Sequence, residues 1–204
     1  MTTLLLLLPL LAPARAVAET PLQVWCVGDS IVLRYARRLQ ALEPGWAVID
    51  LGLGGERSDE GRVRLESTLR DRPAPDVAII IYGANDLVAG RVNGMPGHGP
   101  ETAAANIRAM AARLRAAGAV VIIALPVGSP PPRPDDPESG RRTLVTLRRG
   151  FRELRALLHR EHPHVDFRLT RSEQFVDAVH PSPAGAAVIA ARARKAVRRV
   201  AGKR

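Results

Sequence analysis

Apolar residues along this chain fall into two kinds of pattern. Five short, largely apolar runs at 22–27, 47–51, 77–82, 120–125 and 165–169 are separated by longer stretches at 31–42, 60–70, 101–117, 141–159 and 183–200, where apolar residues recur every three or four positions. The short runs read as strands and the periodic stretches as helices, because side chains repeat every 2 residues along a strand and every 3.6 along a helix. Leu144, Leu147, Phe151, Leu154 and Leu158 show the helical spacing clearly. Val77-Ala78-Ile79-Ile80-Ile81 has no polar alternation, as a strand covered on both faces of a parallel sheet requires. Gly118 follows the third helix where a C-cap belongs, and Ser182-Pro183 supplies an N-cap and a first-turn proline to the last. Strand alternating with helix implies βαβ units, hence an α/β fold with five parallel strands between helical layers.

Two segments fit neither pattern. Residues 89–100 are rich in Gly and Pro, and 128–140 contain Pro130-Pro131-Pro132 and Pro134, so both read as loops. Each follows a predicted strand, and loops beyond the carboxyl ends of parallel strands border the ligand site in such sheets. No internal repeat marks a second domain.

Composition narrows the picture. A chain of 204 residues that is 46% hydrophobic can bury one core, and the 3% aromatic content makes that core aliphatic and argues against an aromatic-walled sugar cleft. An apolar run from Leu4 to Leu11, broken by Pro9, precedes Ala14-Arg15-Ala16-Val17-Ala18, the small-residue alternation of a signal-peptidase site. The run is too short to span a bilayer. Residues 1–18 therefore read as a signal peptide and 19–204 as a single domain exported to the periplasm or outside the cell. Cys26 is the one cysteine, which excludes an intrachain disulfide and a cysteine-cluster metal site. The formal charge is +10, but arginines are spread over the helices without interleaved aromatics, which is not a nucleic-acid footprint. Solvated helix faces account for them, and peripheral attraction to anionic envelope surfaces is the remaining reading.

Four short constellations carry candidate chemistry. Gly28-Asp29-Ser30 stands where the first strand yields to the first helix, so a Ser30 hydroxyl there sits beside helix N-terminal N–H groups; taken alone, the same residues make an ordinary turn and cap. Asp177-Ala178-Val179-His180 precedes the last helix, and in a helical turn that spacing lets the carboxylate hold one imidazole nitrogen and leave the other free; alone it is equally a surface pair or half a metal site. Tyr82-Gly83-Ala84-Asn85-Asp86 ends the central strand, where an Asn amide can donate to an oxyanion and Asp86 can fold the turn. Gly52-Leu53-Gly54-Gly55 follows the second strand, where glycine lets a bare backbone N–H approach a ligand. All four fall after strands of one sheet and so converge on one edge, supplying nucleophile, base, orienter and donors together. His98, His159, His162 and His164 lie in a loop or around a helix end, where exposed or capping roles are expected.

The set resembles the SGNH (GDSL) hydrolase family, whose four motif blocks occur here in the family's order over almost the whole mature chain. The resemblance implies a flavodoxin-like three-layer α/β/α sandwich and a serine esterase needing no cofactor or metal. It implies Ser30 as nucleophile and first oxyanion donor, His180 as general base and Asp177 as its orienting carboxylate. Gly55, or Gly54 in a register shifted by one, and Asn85 would complete the oxyanion hole. Two positions depart from the common pattern: Val32 stands where many members carry Ser or Thr, and Glu56-Arg57 follow the block-two glycine. Glu101-Thr102, Asn106-Ile107-Arg108-Ala109-Met110 and Arg115-Ala116-Ala117-Gly118-Ala119 look like the arylesterase, thioesterase and lysophospholipase branch. That similarity implies a small acyl ester or lysophospholipid substrate, with no nucleic acid and no obligate protein partner. The alternatives are a carbohydrate O-acetyl esterase of the same family and, more distantly, a non-catalytic envelope-binding protein.

Overall fold

Five parallel strands form one sheet in the order β2-β1-β3-β6-β7: β1 is Leu22–Gly28, β2 Trp46–Gly52, β3 Val77–Ile81, β6 Val120–Leu125 and β7 His164–Asp166. The computed structural model describes residues 20–202 apart from 89, 90, 93, 94, 133 and 162, so the expected leader and His162 lie outside the described residues. Between the strands run α1 (Ser30–Leu42), α2 (Ser58–Asp71), the single turn α3 (Ala84–Leu87), α4 (Pro100–Ala116), α5 (Glu138–Leu158) and α6 (Pro183–Ala201). A two-residue ribbon, β4 (Arg91–Val92) against β5 (Met95–Pro96), lies in the segment expected to be loop. This is the flavodoxin-like α/β/α sandwich that the sequence pattern implies.

Strand residues alternate between two cores. Val24, Cys26, Val77, Ile79, Ile122 and Ala124 point to the layer of α1 and α6, whereas Trp25, Val27, Ala78, Ile80, Val121 and Ile123 point to α2, α4 and α5. Burial on both faces is why β3 carries no polar residue. On the first side, Ala186, Ala190, Ala193 and Ala196 of α6 bring that helix close to α1, and Tyr35 meets Phe167 edge-on at 5.3 Å.

The expected boundaries hold with exceptions, among them α5, which begins at Glu138 inside the segment expected to be loop. β7 ends at Asp166 instead of 169, yet Phe167 and Leu169 stay buried, their N–H groups donating to Leu125 O and Val127 O at 3.2 and 2.8 Å, while Arg168 turns outward. α2 begins at Ser58, two residues early, because Glu60 Oε2 accepts the Arg57 N–H at 2.9 Å and so caps the turn. Gly118 follows the C-cap Ala117 with φ 94°, and its N–H donates to Arg115 O at 2.9 Å, a left-handed ending that glycine adopts without strain.

Candidate active site

Strand register sets the level of the site. Gly28 at the end of β1 pairs with Gly52 on one side and Ile81 on the other, so the residues just beyond these three strands emerge on the same edge. Gly28 has to be glycine: a Cβ there would lie 2.2 Å from Ile81 O and 2.8 Å from a Val32 methyl. Val32 is fully buried over Gly28 and Gly52, so the residue at that departure from the family pattern serves packing. Asp29 caps α1, its Oδ1 accepting the Ile31 N–H at 2.9 Å, which leaves Ser30 as the first helical residue. The N–H of a first-turn residue has no intrahelical acceptor and faces the positive end of the helix dipole. Asp29 is fully buried and its Oδ2 has no partner among the described residues; burial pushes its carboxyl up to about 7, against the opposing pull of the Ile31 N–H.

Ser30 Oγ lies 2.8 Å from His180 Nε2, and His180 Nδ1 donates to Asp177 Oδ2 at 2.7 Å. Residues 150 positions apart in the chain are thus joined in one relay. Asp177 to His180 is not a helical turn, as the spacing suggested. It is a bend in which Asp177 Oδ1 accepts the N–H groups of Val179 and His180 at 2.9 and 2.8 Å, an Asx-type turn made by the side chain itself. Partial burial pushes the Asp177 carboxyl up, but these two N–H groups and the His180 ring outweigh it and hold the acid below its ordinary range. The bend is closed at its base by a bridge between Phe175 and Pro181 and by the Val176 N–H donating to His180 O at 3.0 Å. Ser182 then anchors it to α6, donating to Glu173 O at 2.7 Å while accepting the Gly185 N–H at 3.2 Å.

The remaining blocks form a second corner. Asn85 Nδ2 donates to Glu56 O at 2.9 Å, and Gly55, one residue before Glu56, has φ 77°. Gly54 is exposed with open space around it, and Gly55 adjoins the Glu56 carbonyl that Asn85 holds. The block-two loop is tied to block one by the Leu53 N–H donating to Gly28 O at 3.0 Å.

Two polar networks behind this corner escaped sequence reasoning. The Glu56 carboxylate is buried and accepts from Arg64 Nε and Nη2 at 2.6 Å each and from Tyr82 Oη at 2.6 Å. Asp86 does not fold its own turn. It reaches across to α2, accepting from Ser58 Oγ at 2.6 Å and from the Ser58 N–H, while Asn106 of α4 donates to Ser58 Oγ at 3.1 Å. Burial raises the Asp86 carboxyl against the pull of Ser58. The Glu56-Arg57 departure in the sequence was the one available signal for the first network; the second joins residues far apart in the chain and has no local signature.

The other described histidines each have a partner. His98 Nε2 lies 3.0 Å from Asp59 Oδ2, His159 Nδ1 donates to Ala156 O and His164 Nδ1 donates to Glu161 O. Among the described residues no three His, Cys, Asp or Glu side chains are grouped as metal ligands would be. Cys26 is buried in β1 and desolvation pushes its thiol up to about 12, the opposite of what a nucleophilic thiolate needs. A cleft of about 450 Å³ begins at the Asp177 end of the relay, lined on its apolar part by Val176, Phe175, Leu144, Pro130 and Pro131 and on its polar part by Asp136, Thr143 and Ser172.

Comparison with known proteins places the fold in a family. The model of the GDSL-like Lipase/Acylhydrolase family matches residues 26–188. Among solved structures, the chain is similar to an acetyl xylan esterase, AlAXEase, at TM-score 0.67 and 19% identity, covering 85% of this chain and 98% of that one. It is similar to a GDSL-like lipase from Bacteroides thetaiotaomicron at TM-score 0.65 and 18% identity, covering 88% and 89%. It is also similar to a carbohydrate acetylesterase family member from Sinorhizobium meliloti at TM-score 0.66 and 18% identity, covering 88% and 98%. No curated protein matches the chain. With the family's model spanning from β1 to α6, over a sheet whose one edge gathers every motif block, the chain belongs to the GDSL-like lipase/acylhydrolase family and is a carboxylic ester hydrolase.

Proposed function

We propose that the protein hydrolyses small acyl esters and thioesters through an acyl-enzyme on Ser30. The observation that carries this reading is the unbroken relay of Ser30 Oγ to His180 Nε2 at 2.8 Å and His180 Nδ1 to Asp177 Oδ2 at 2.7 Å. An ionised Asp177 accepts the Nδ1 proton, so Nε2 is the free base that takes the Ser30 proton as Oγ attacks the acyl carbonyl. The tetrahedral oxyanion is met by the Ser30 and Gly55 N–H groups and by Asn85, whose amide has a second N–H beyond the one given to Glu56 O. Collapse expels the alcohol or thiol, protonated by His180. Water, deprotonated by the same imidazole, then releases the acid and frees Ser30.

For the acyl group, the apolar part of the cleft at Asp177, made by Leu144, Phe175, Val176, Pro130 and Pro131, supports an arylesterase, thioesterase or lysophospholipase-like range, including chains longer than acetyl. A second reading, a carbohydrate O-acetyl esterase, is favoured by the acetyl xylan esterase and carbohydrate acetylesterase among the similar structures. A series of p-nitrophenyl esters from acetate to octanoate, run beside acetylated xylan, separates them. The first reading expects kcat/KM to hold or rise from acetyl to butyryl, and activity confined to acetyl groups would replace it with the second. An inert wild type would favour a non-catalytic envelope-binding role. Export is proposed on the Ala14, Ala16 and Ala18 spacing, and the N-terminal sequence of protein recovered outside the cytoplasm tests it.

A further inference from the structure

A second cleft lies along the same segments as the one beside Asp177. Both are lined by the same three segments: α5, the loop after β6, and the chain that leads from β7 to α6. Where Ser129 and Thr170 face the middle of α5, the second cleft has a volume of about 360 Å³ and is lined by Arg148, Arg152, Arg155 and Arg168, with no carboxylate among its lining residues.

A single carboxylate, Asp166, faces these charges. Arg155 donates to both of its oxygens, at 2.9 and 2.7 Å, and Arg168 lies in its field, the Arg168 N–H donating to Oδ1 at 2.8 Å. Among the described residues, Arg148 and Arg152 make no ion pair, and Arg148 gives a single N–H to Ser129 O at 3.1 Å. Elsewhere α5 pairs opposite charges one turn apart, Arg142 with Glu138 and Arg149 with Glu153. On the cleft side it repeats the same spacing with one sign, Arg148 and Arg152 at i and i+4, an arrangement that destabilises a helix unless something neutralises it. Ser129, at the same cleft, is buried and its hydroxyl has no hydrogen-bond partner among the described residues, an unmet polar group of the kind ligand sites hold.

We infer that this second cleft binds a dianionic oxyanion, chemically a phosphoryl group, through Arg148, Arg152 and Arg168, and that the group is carried on the alcohol side of the substrate. Guanidinium forks match phosphate oxygens two at a time, and the four guanidiniums of this cleft exceed what the one carboxylate beside them can neutralise. The substrate part of this inference rests on the proposed esterase reading, which gives the cleft at Asp177 to the acyl group and so leaves the second cleft to the alcohol. The anion site itself stands apart from that reading.

The test uses the full chain and its Arg148→Gln/Arg152→Gln double variant, whose exposed positions leave the relay untouched. Inorganic phosphate is titrated calorimetrically into both, and kcat/KM is compared for acetyl glycerol, acetyl glycerol phosphate and p-nitrophenyl acetate. The expected result is saturable phosphate binding at least about tenfold weaker in the variant, and a preference for the phosphorylated ester that falls by a similar factor while p-nitrophenyl acetate turnover is unchanged. Phosphate binding that is absent, or equal in the two proteins, overturns the site. Binding lost in the variant without any change in ester preference overturns the substrate part and leaves a site for free phosphate. If neither protein hydrolyses p-nitrophenyl acetate, the esterase reading fails while the calorimetry still decides the anion site.

Discussion

Asp177 is held by more than the histidine it orients. Two backbone N–H groups occupy its Oδ1 and the imidazole its Oδ2, so the carboxylate stays ionised and the ring has one orientation available. Asp177→Asn keeps an acceptor for the turn but can present an amide N–H to Nδ1, which would shift the proton to Nε2 and remove the base from Ser30. The expected outcome is a fall in kcat on the order of 10³- to 10⁴-fold with KM within about threefold of wild type. Steady-state kinetics on p-nitrophenyl acetate check this, and a variant within about tenfold of wild type in kcat would mean that the Asp177–His180 contact is only structural. Asn85 follows the same logic at the oxyanion. Its alanine variant is expected to lose on the order of 10²-fold in kcat, since one of three proposed donors disappears while the backbone remains.

At the scale of elements, His180 is placed by a bend that packs against the start of α6. A Cβ on Gly185 would lie 2.2 Å from Gln174 O and 2.9 Å from a Leu169 methyl, so Gly185→Ala has to push the bend away from the helix. Stability is expected to fall by about 1–3 kcal/mol, and activity by more than that loss explains, because a small shift of His180 opens the contact to Ser30. Gly54→Ala, with open space around it, is the control expected to change neither by much. Urea melts and kcat on both variants check the pair; equal effects would show that the bend tolerates displacement. These elements were largely legible in the sequence because their signal is local. An unbroken aliphatic run such as 77–81 has few alternatives to a central strand, and Ser182-Pro183 marks a helix start without reference to anything distant. The single turn of α3 and the β4–β5 ribbon were not legible, being too short to show a period. The start of α2 was missed because Ser58, Asp59 and Glu60 are polar and the cap comes from a side chain three residues on. In the site, the identity of Ser30, Asp177 and His180 could be read from motif blocks, whereas the bend that holds His180 and the Asp86–Ser58–Asn106 bridge depend on contacts between distant segments.

For the molecule as a whole, the sandwich closes over a fully buried acid, Asp29, whose titration should be visible in global stability. Asp29 ionises at about 7 when folded, against the ordinary 3.8, because burial penalises its charge. Below the ordinary value both folded and unfolded chains hold the proton and there is no penalty. As pH rises from about 4 to about 7 the unfolded chain ionises first, so stability falls through this window and levels off above it, by roughly 4 kcal/mol for a shift of this size. Asp29→Asn can keep the cap to Ile31 without a titrating group. Its stability relative to wild type is therefore expected to be higher at about pH 8 than at about pH 4.5, as measured by urea denaturation at each pH. Parallel curves for the two proteins would mean that Asp29 is not held protonated by the fold.

The central claim, that Ser30 is acylated, is tested most directly by intact and peptide mass analysis after exposure to a serine-directed alkyl phosphonate. A hydrolase working as proposed gains one phosphonyl group, found on the peptide containing Gly28-Asp29-Ser30, and the Ser30→Ala protein gains none. No adduct on the folded wild type, or an adduct on another residue, would contradict the assignment.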